Sequence, residues 1–158
     1  MRPIRAAALT TFGAIVGFAG AAAVARRALP SRGDETSDEV ALVAIFDGID
    51  LENRASAFRG GSVLAWFGGV DVDLREATLA PGARLSVHAL FGGVAIRVPP
   101  GWRLESDLNV FAGGVDLRAA EAESPDAPTL ALDGFALCGG IAIGARIPGR
   151  DEQESPDT

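Results

Sequence analysis

The stretch Ala65–Leu74, AWFGGVDVDL, decides how the rest of the chain is read. Two bulky aromatic residues, Trp66 and Phe67, precede Gly68 and Gly69, and from Val70 onward apolar and acidic residues alternate. Such a glycine pair serves either a phosphate-binding loop or a bend between strands. A phosphate loop needs a helix behind it, whose first turn supplies free amides and the positive end of the dipole. Here Val70, Val72 and Leu74 alternate with Asp71 and Asp73, the pattern of a half-buried strand, and no G-K-[ST] follows. The glycines therefore mark a bend.

The same element recurs as IFDGIDL ending at Leu51, WFGGVDV at Val72, LFGGVAI at Ile96, FAGGVDL at Leu117 and LCGGIAI at Ile143. Counted from Asp47, Gly68, Gly92, Gly113 and Gly139, the spacings are 21, 24, 21 and 26 residues, the period of a repeat protein. Alternation also precedes the bends, as in Leu85, Val87 and Ala89 against Ser86 and His88. Turn residues separate the units, at APGA (80–83), PPGW (99–102) and SPDAP (124–128), and no helical period is evident after residue 33. The expectation is an all-β fold, a small single-stranded β-solenoid (β-helix-like) of about five coils, with a twisted β-sandwich as the alternative.

Stacking in sequence order predicts two aliphatic ladders. One is Ile49, Val70, Val94, Val115 and Ile141; the other is Leu51, Val72, Ile96, Leu117 and Ile143. Phe46, Phe67 and Phe91 form an aromatic stack near the bends. Outside, Asp73 lies against Arg97, and Arg97 against Arg118. The bend glycines are Gly48, Gly68, Gly69, Gly92, Gly93, Gly113, Gly114, Gly139 and Gly140, and valine at Gly69 or Gly93 is expected to strain the fold.

The 158 residues carry a net charge of −7, unevenly divided. Five arginines and no acid precede residue 33; nine arginines and 21 acids follow, a balance of −12 that repels nucleic acid and anionic headgroups. Residues 6–25, AAALTTFGAIVGFAGAAAVA, hold no charge and are long enough to cross a bilayer as a helix. Arg2 and Arg5 flank one end, Arg26 and Arg27 the other. The expectation is a retained N-terminal membrane anchor over 1–27 in a single-pass cell-membrane protein. A signal peptide cleaved after AVA (23–25) is the alternative, and the two arginines after it argue against cleavage. Positive residues balance across the segment, so charge does not orient it. Gly13, Gly17 and Ala21 form a small-residue row that chance composition accounts for. Residues 28–39 then read as a linker, 40–143 as the β-repeat domain and 144–158 as a frayed acidic tail.

The repeats resemble the C-terminal domain of the LiaF-like, cell-wall-active-antibiotics-response proteins of bacteria. The likeness rests on F-G-G-V elements at Phe67–Leu74 and Phe91–Val98, V-P-x-x-W ending with Pro99–Trp102, and a further glycine element at Phe111–Val115. The stretch 43–70 is similar to the entry of that domain, and the likeness covers roughly 40–118, weakening to about 143. It implies a non-enzymatic, membrane-linked regulator of envelope stress that acts on a two-component sensor kinase from the cytoplasmic side. It implies no catalytic residue and no cofactor. This chain departs from the family in having at most one membrane span, in Asp47 in place of a glycine, and in Ala112 after Phe111.

Individual residues add little chemistry. His88, the single histidine, is expected outside as a structural residue, since no Cys or second His accompanies it as a metal ligand. Cys138, the single cysteine, occupies the Phe slot of its repeat and is expected to be a buried small hydrophobe. Asp71, Asp73 and Asp116 are expected on a solvated face, without the converging oxygens that calcium needs. With Trp66 and Trp102 they form the candidate surface for a protein partner, packing in the core or at a turn being the other reading of the two tryptophans. No nucleophile motif supports catalysis, no metal is expected, and self-association of the repeat ends stands as the second reading.

Overall fold

A computed structural model describes residues 31–118 and 124–145. The apolar stretch 6–25 and the tail from 146 on lie outside the described residues. So do the membrane-anchor and signal-peptide readings. No helix among the described residues is long and apolar enough to cross a membrane.

The described chain is all-β. Its strands are β1 (Glu39–Ile45), β2 (Gly48–Glu52), β3 (Phe58–Trp66), β4 (Gly69–Asp73), β5 (Leu79–Ala89), β6 (Gly93–Arg97), β7 (Arg103–Arg118) and β8 (Thr129–Gly144). Every strand pairing is parallel, because equivalent strands of different repeats lie side by side. Each repeat contributes a strand before its bend and a strand after it; in β7 and β8 the two run on as one. The first half of β8 pairs with β5 and its second half with β6. This joins both rows into one sheet, β1-β3-β5-β8-β6-β4-β2, folded back on itself until it is nearly closed. The core fills the space between the rows, with Val70, Val72, Val94, Ile96, Ile141 and Ile143 all at most 2 % exposed.

The repeats do not stack in sequence order. β8 lies between the third repeat and β7, so the order is first, second, third, fifth, fourth. Val72 and Ile96 are neighbours, as expected, but Ile96 meets Ile143 on its other side, and Leu117 lies beyond it. Three features favour this order. In the column where the fifth repeat places buried Leu132, the fourth places Ser106, so the interior layer keeps the apolar side chain there. Asp133 reaches β5, accepting from Ser86 Oγ at 2.6 Å and lying 3.5 Å from Arg84. Gly144 falls between Arg97 and Arg118, which sequence order would have set side by side. The expected pairing of Asp73 with Arg97 is present at 3.6 Å, and that of Arg97 with Arg118 is not.

The bend has a specific steric cause. Asp47, Gly68, Gly92, Gly139 and Gly113 form one column through the stack. A Cβ on Gly68, Gly92, Gly139 or Gly113 would lie about 2 Å from the carbonyl oxygen of the residue before it in the column. Asp47 begins the column, which is why the first repeat tolerates a side chain there. The second glycines are different: Gly69 has nothing within 4 Å of a built Cβ, and Gly93 only a carbonyl at 3.9 Å. The expected strain at Gly69 and Gly93 therefore belongs to Gly68 and Gly92. Ala112 pairs with Cys138, in the column of Phe46, Phe67 and Phe91, so it is not an insertion.

The chain entering the domain is not a free linker. Arg32 exchanges two backbone hydrogen bonds with Ala41, and the Val43 amide donates to Ser31 Oγ at 2.9 Å. Asn53, 1 % exposed, fixes this strap: its Nδ2 donates to the Asp34 and Ser37 carbonyls, and its Oδ1 accepts from the Ala55 amide. A buried amide with both ends satisfied is costly to replace.

The column predicts opposite outcomes at adjacent glycines. Gly92→Ala should lower stability by about 1–3 kcal/mol, because backbone must move to admit the methyl group. Gly93→Ala should change it by no more than about 0.5 kcal/mol. Urea unfolding of the two variants beside the parent checks this. At the strap, Asn53→Ala should cost about 1–3 kcal/mol in the same assay by leaving the buried Ala55 amide without its acceptor and releasing the strap carbonyls.

Candidate functional site

The structure distributes the residues expected to form a partner surface rather than gathering them. Trp102 is 6 % exposed and packs in the core, and Asp71 is 7 % exposed, so neither is open to a partner. Trp66 is half-buried. Asp73 is mostly covered as well: Arg75 donates to it from the side chain at 2.6–3.0 Å and from the backbone at 3.0 Å, and Arg97 lies at 3.6 Å. Burial alone would raise the Asp73 carboxyl, but the hydrogen bonds and charges of Arg75 with the charge of Arg97 outweigh it and hold the carboxyl below 3.8. Only Asp116 stays on the solvated face, joined to Arg118 at 2.8 Å.

The single histidine and cysteine are also relocated. His88 is partly covered by Phe135, whose ring centroid lies 4.8 Å away, and its Nδ1 is buried without a hydrogen-bond partner. Ser86 Oγ donates to Asp133, not to His88, so these side chains do not form a proton relay. Cys138 is exposed, against the expectation of burial. The slot it fills belongs to an outer column, in which the phenylalanines stack at 5.2 and 4.6 Å while remaining open to solvent. Phe46 and Phe67 hold positive φ angles of 54° and 57°, a conformation that costs a bulky residue energy. No group of three or more His, Cys, Asp or Glu among the described residues is placed to hold a metal ion. A shallow groove of about 580 Å³ crosses all five repeats along the strands after the bends. Its walls are glycine backbone, aliphatic side chains and the carboxylates of Asp50, Asp71 and Asp116.

The most exposed apolar feature is β7, which sequence reasoning did not single out. It is the last strand of the stack, paired on one side with β8 along nearly its whole length. No strand among the described residues pairs with its other side. Phe111 is 86 % exposed, Val110 44 % and Leu117 38 %. Its signal in the sequence is faint: Ser106 interrupts an otherwise apolar inward row, as befits a terminal repeat. No family model, no curated protein and no solved structure matches this chain.

The environment of Asp73 sets an acid dependence. A carboxyl held below its unfolded value contributes stability that is complete above about pH 5 and lost as pH falls through the lowered folded value. Asp73→Asn should therefore melt below the parent at pH 7, and the gap in Tm should narrow on acidification below 3.8. Thermal melts of both proteins from pH 7 to pH 2.5 check this, and a gap independent of pH contradicts it.

Proposed function

We propose that this protein is a membrane-anchored, non-enzymatic interaction module that regulates a bacterial envelope-stress response. In this reading residues 6–25 hold it in the membrane, and the domain is a five-coil β-solenoid rather than a sandwich. The resemblance to the LiaF-like domain supports the regulatory role, a sensor kinase as the partner and a cytoplasmic position. Parallel pairing of equivalent strands supports the solenoid. The observation that carries the interaction reading is β7. A long edge strand with unpaired backbone groups and an exposed Phe111 is a ready docking site unless something covers it.

The alternative, a scaffold that polymerises end to end at the membrane, needs two open ends. The strap bridges the outer edge of β1 at Arg32–Ala41 and so obstructs continuation there, which favours the regulator.

Deleting the gene in a bacterial host that carries it should alter the transcriptional response to a cell-wall-active antibiotic. Phe111→Arg, which leaves the core intact, should reproduce the deletion. An unchanged response in the deletion strain contradicts the regulatory reading; a normal response with Phe111→Arg contradicts the role of β7.

A further inference from the structure

We propose that β7 is the interface of a two-fold dimer, with a second copy of this chain as its occupant. This rests on β7 being an interaction end and names what it meets. The end is open in two senses. Among the described residues the backbone of β7 has no strand on its far side, and the inward side chains Leu104, Leu108 and Val115 close only one side of the core. A stacked repeat protein needs a polar cap or a neighbour at such a place.

Head-to-tail growth does not fit. The strap occupies the β1 edge. Continuing the register across the junction would set Glu105 over Glu39 and Asp116 over Asp50, two rows of like charge.

A two-fold axis through the bend does fit. It lays the strand half before the bend antiparallel to the half after the bend of the partner copy. Two conditions fix the register: bend must lie over bend, and inward side chains must face inward ones. With Ala112 opposite the second copy's Gly113, Leu108 meets Leu117 and Val110 meets Val115, so both apolar rows close over the core. The same register places Asp107 opposite Arg118 and Asn109 opposite Asp116. Phe111 then lies over Gly114, which has open space around it. Each contact occurs twice, as an isologous interface requires. A slip by two residues one way would set Asp107 against Asp116, and the other way would carry Phe111 from the open space at Gly114 onto Asp116, so charge and packing together select the register. Asp107 and Arg118 are both exposed in the single chain, where Arg118 Nε donates to Asp116 of the same chain.

The test is sedimentation of the full-length chain in mild detergent. The parent should be dimeric. Asp107→Arg places like charges together twice, and so does Arg118→Asp; each should weaken the dimer by roughly tenfold or more. Mixing the two single variants should restore it as a heterodimer, because every mismatched pair becomes Arg against Asp. That outcome also shows that both variants fold. A parent that stays monomeric, a dimer that neither variant weakens, or a mixture that fails to recover overturns the proposal. If the chain is monomeric and Phe111→Arg still abolishes the antibiotic response, the dimer falls while the interaction reading stands. If the dimer behaves as described and Phe111→Arg leaves the response normal, the regulatory role of β7 falls instead.

Discussion

The column Asp47, Gly68, Gly92, Gly139, Gly113 is the constraint on which the rest depends. At each layer a carbonyl oxygen takes the place that a Cβ would fill in the next. Parallel strands about 4.8 Å apart allow no other solution at a sharp bend. With the bends in one line, every other position falls into a column of its own. Aliphatic side chains then meet aliphatic side chains, Phe46, Phe67 and Phe91 stack, and Asp73 meets Arg97. The aromatic stack and the Asp73–Arg97 contact at 3.6 Å are consequences of register more than its cause. A slip by one residue would turn Val94 and Ile96 to solvent, a far larger penalty.

Columns also decide which repeat neighbours which. Because like positions must meet, a repeat is compatible with its neighbour only if each column tolerates the pair. Arg97 beside Arg118 is a poor pair, and Gly144 between them removes the conflict. Asp133 beside Ser86 and Arg84 is a good one. The terminal place falls to β7, whose inward row holds a serine and whose outward row is acidic before the bend. The open end is thus a product of the same chemistry that orders the interior.

Much of this was legible in the residues. The spacing of the glycine pairs and the alternation around them gave the strands, the bends, the inward ladders and the meeting of Asp73 with Arg97. The order of the last two repeats was not legible, because a period reports what each repeat is and not which one it touches. Cys138 was misplaced because its column carries rings that lie against one another on the outside of the bend rather than in the core. Asp71 looked like a surface residue because local alternation does not show what covers an outward position, whereas the core packing of Trp102 was one of the two readings its sequence position left open. Asn53 gave no signal at all: its partners, Asp34 and Ser37, lie in a segment whose composition reads as free chain.

The stacking order is the central claim, and disulfide trapping tests it most directly. In a Cys138→Ser background, cysteines at Ala95 and Ala142 stand on adjacent layers and point to the same side, within the range a disulfide spans. Cysteines at Ala95 and Asp116 stand two layers apart, roughly 9–10 Å, beyond that range. Mild oxidation should link the first pair rapidly and leave the second free. The reverse result would restore sequence order and contradict the placement of β8 between the third repeat and β7.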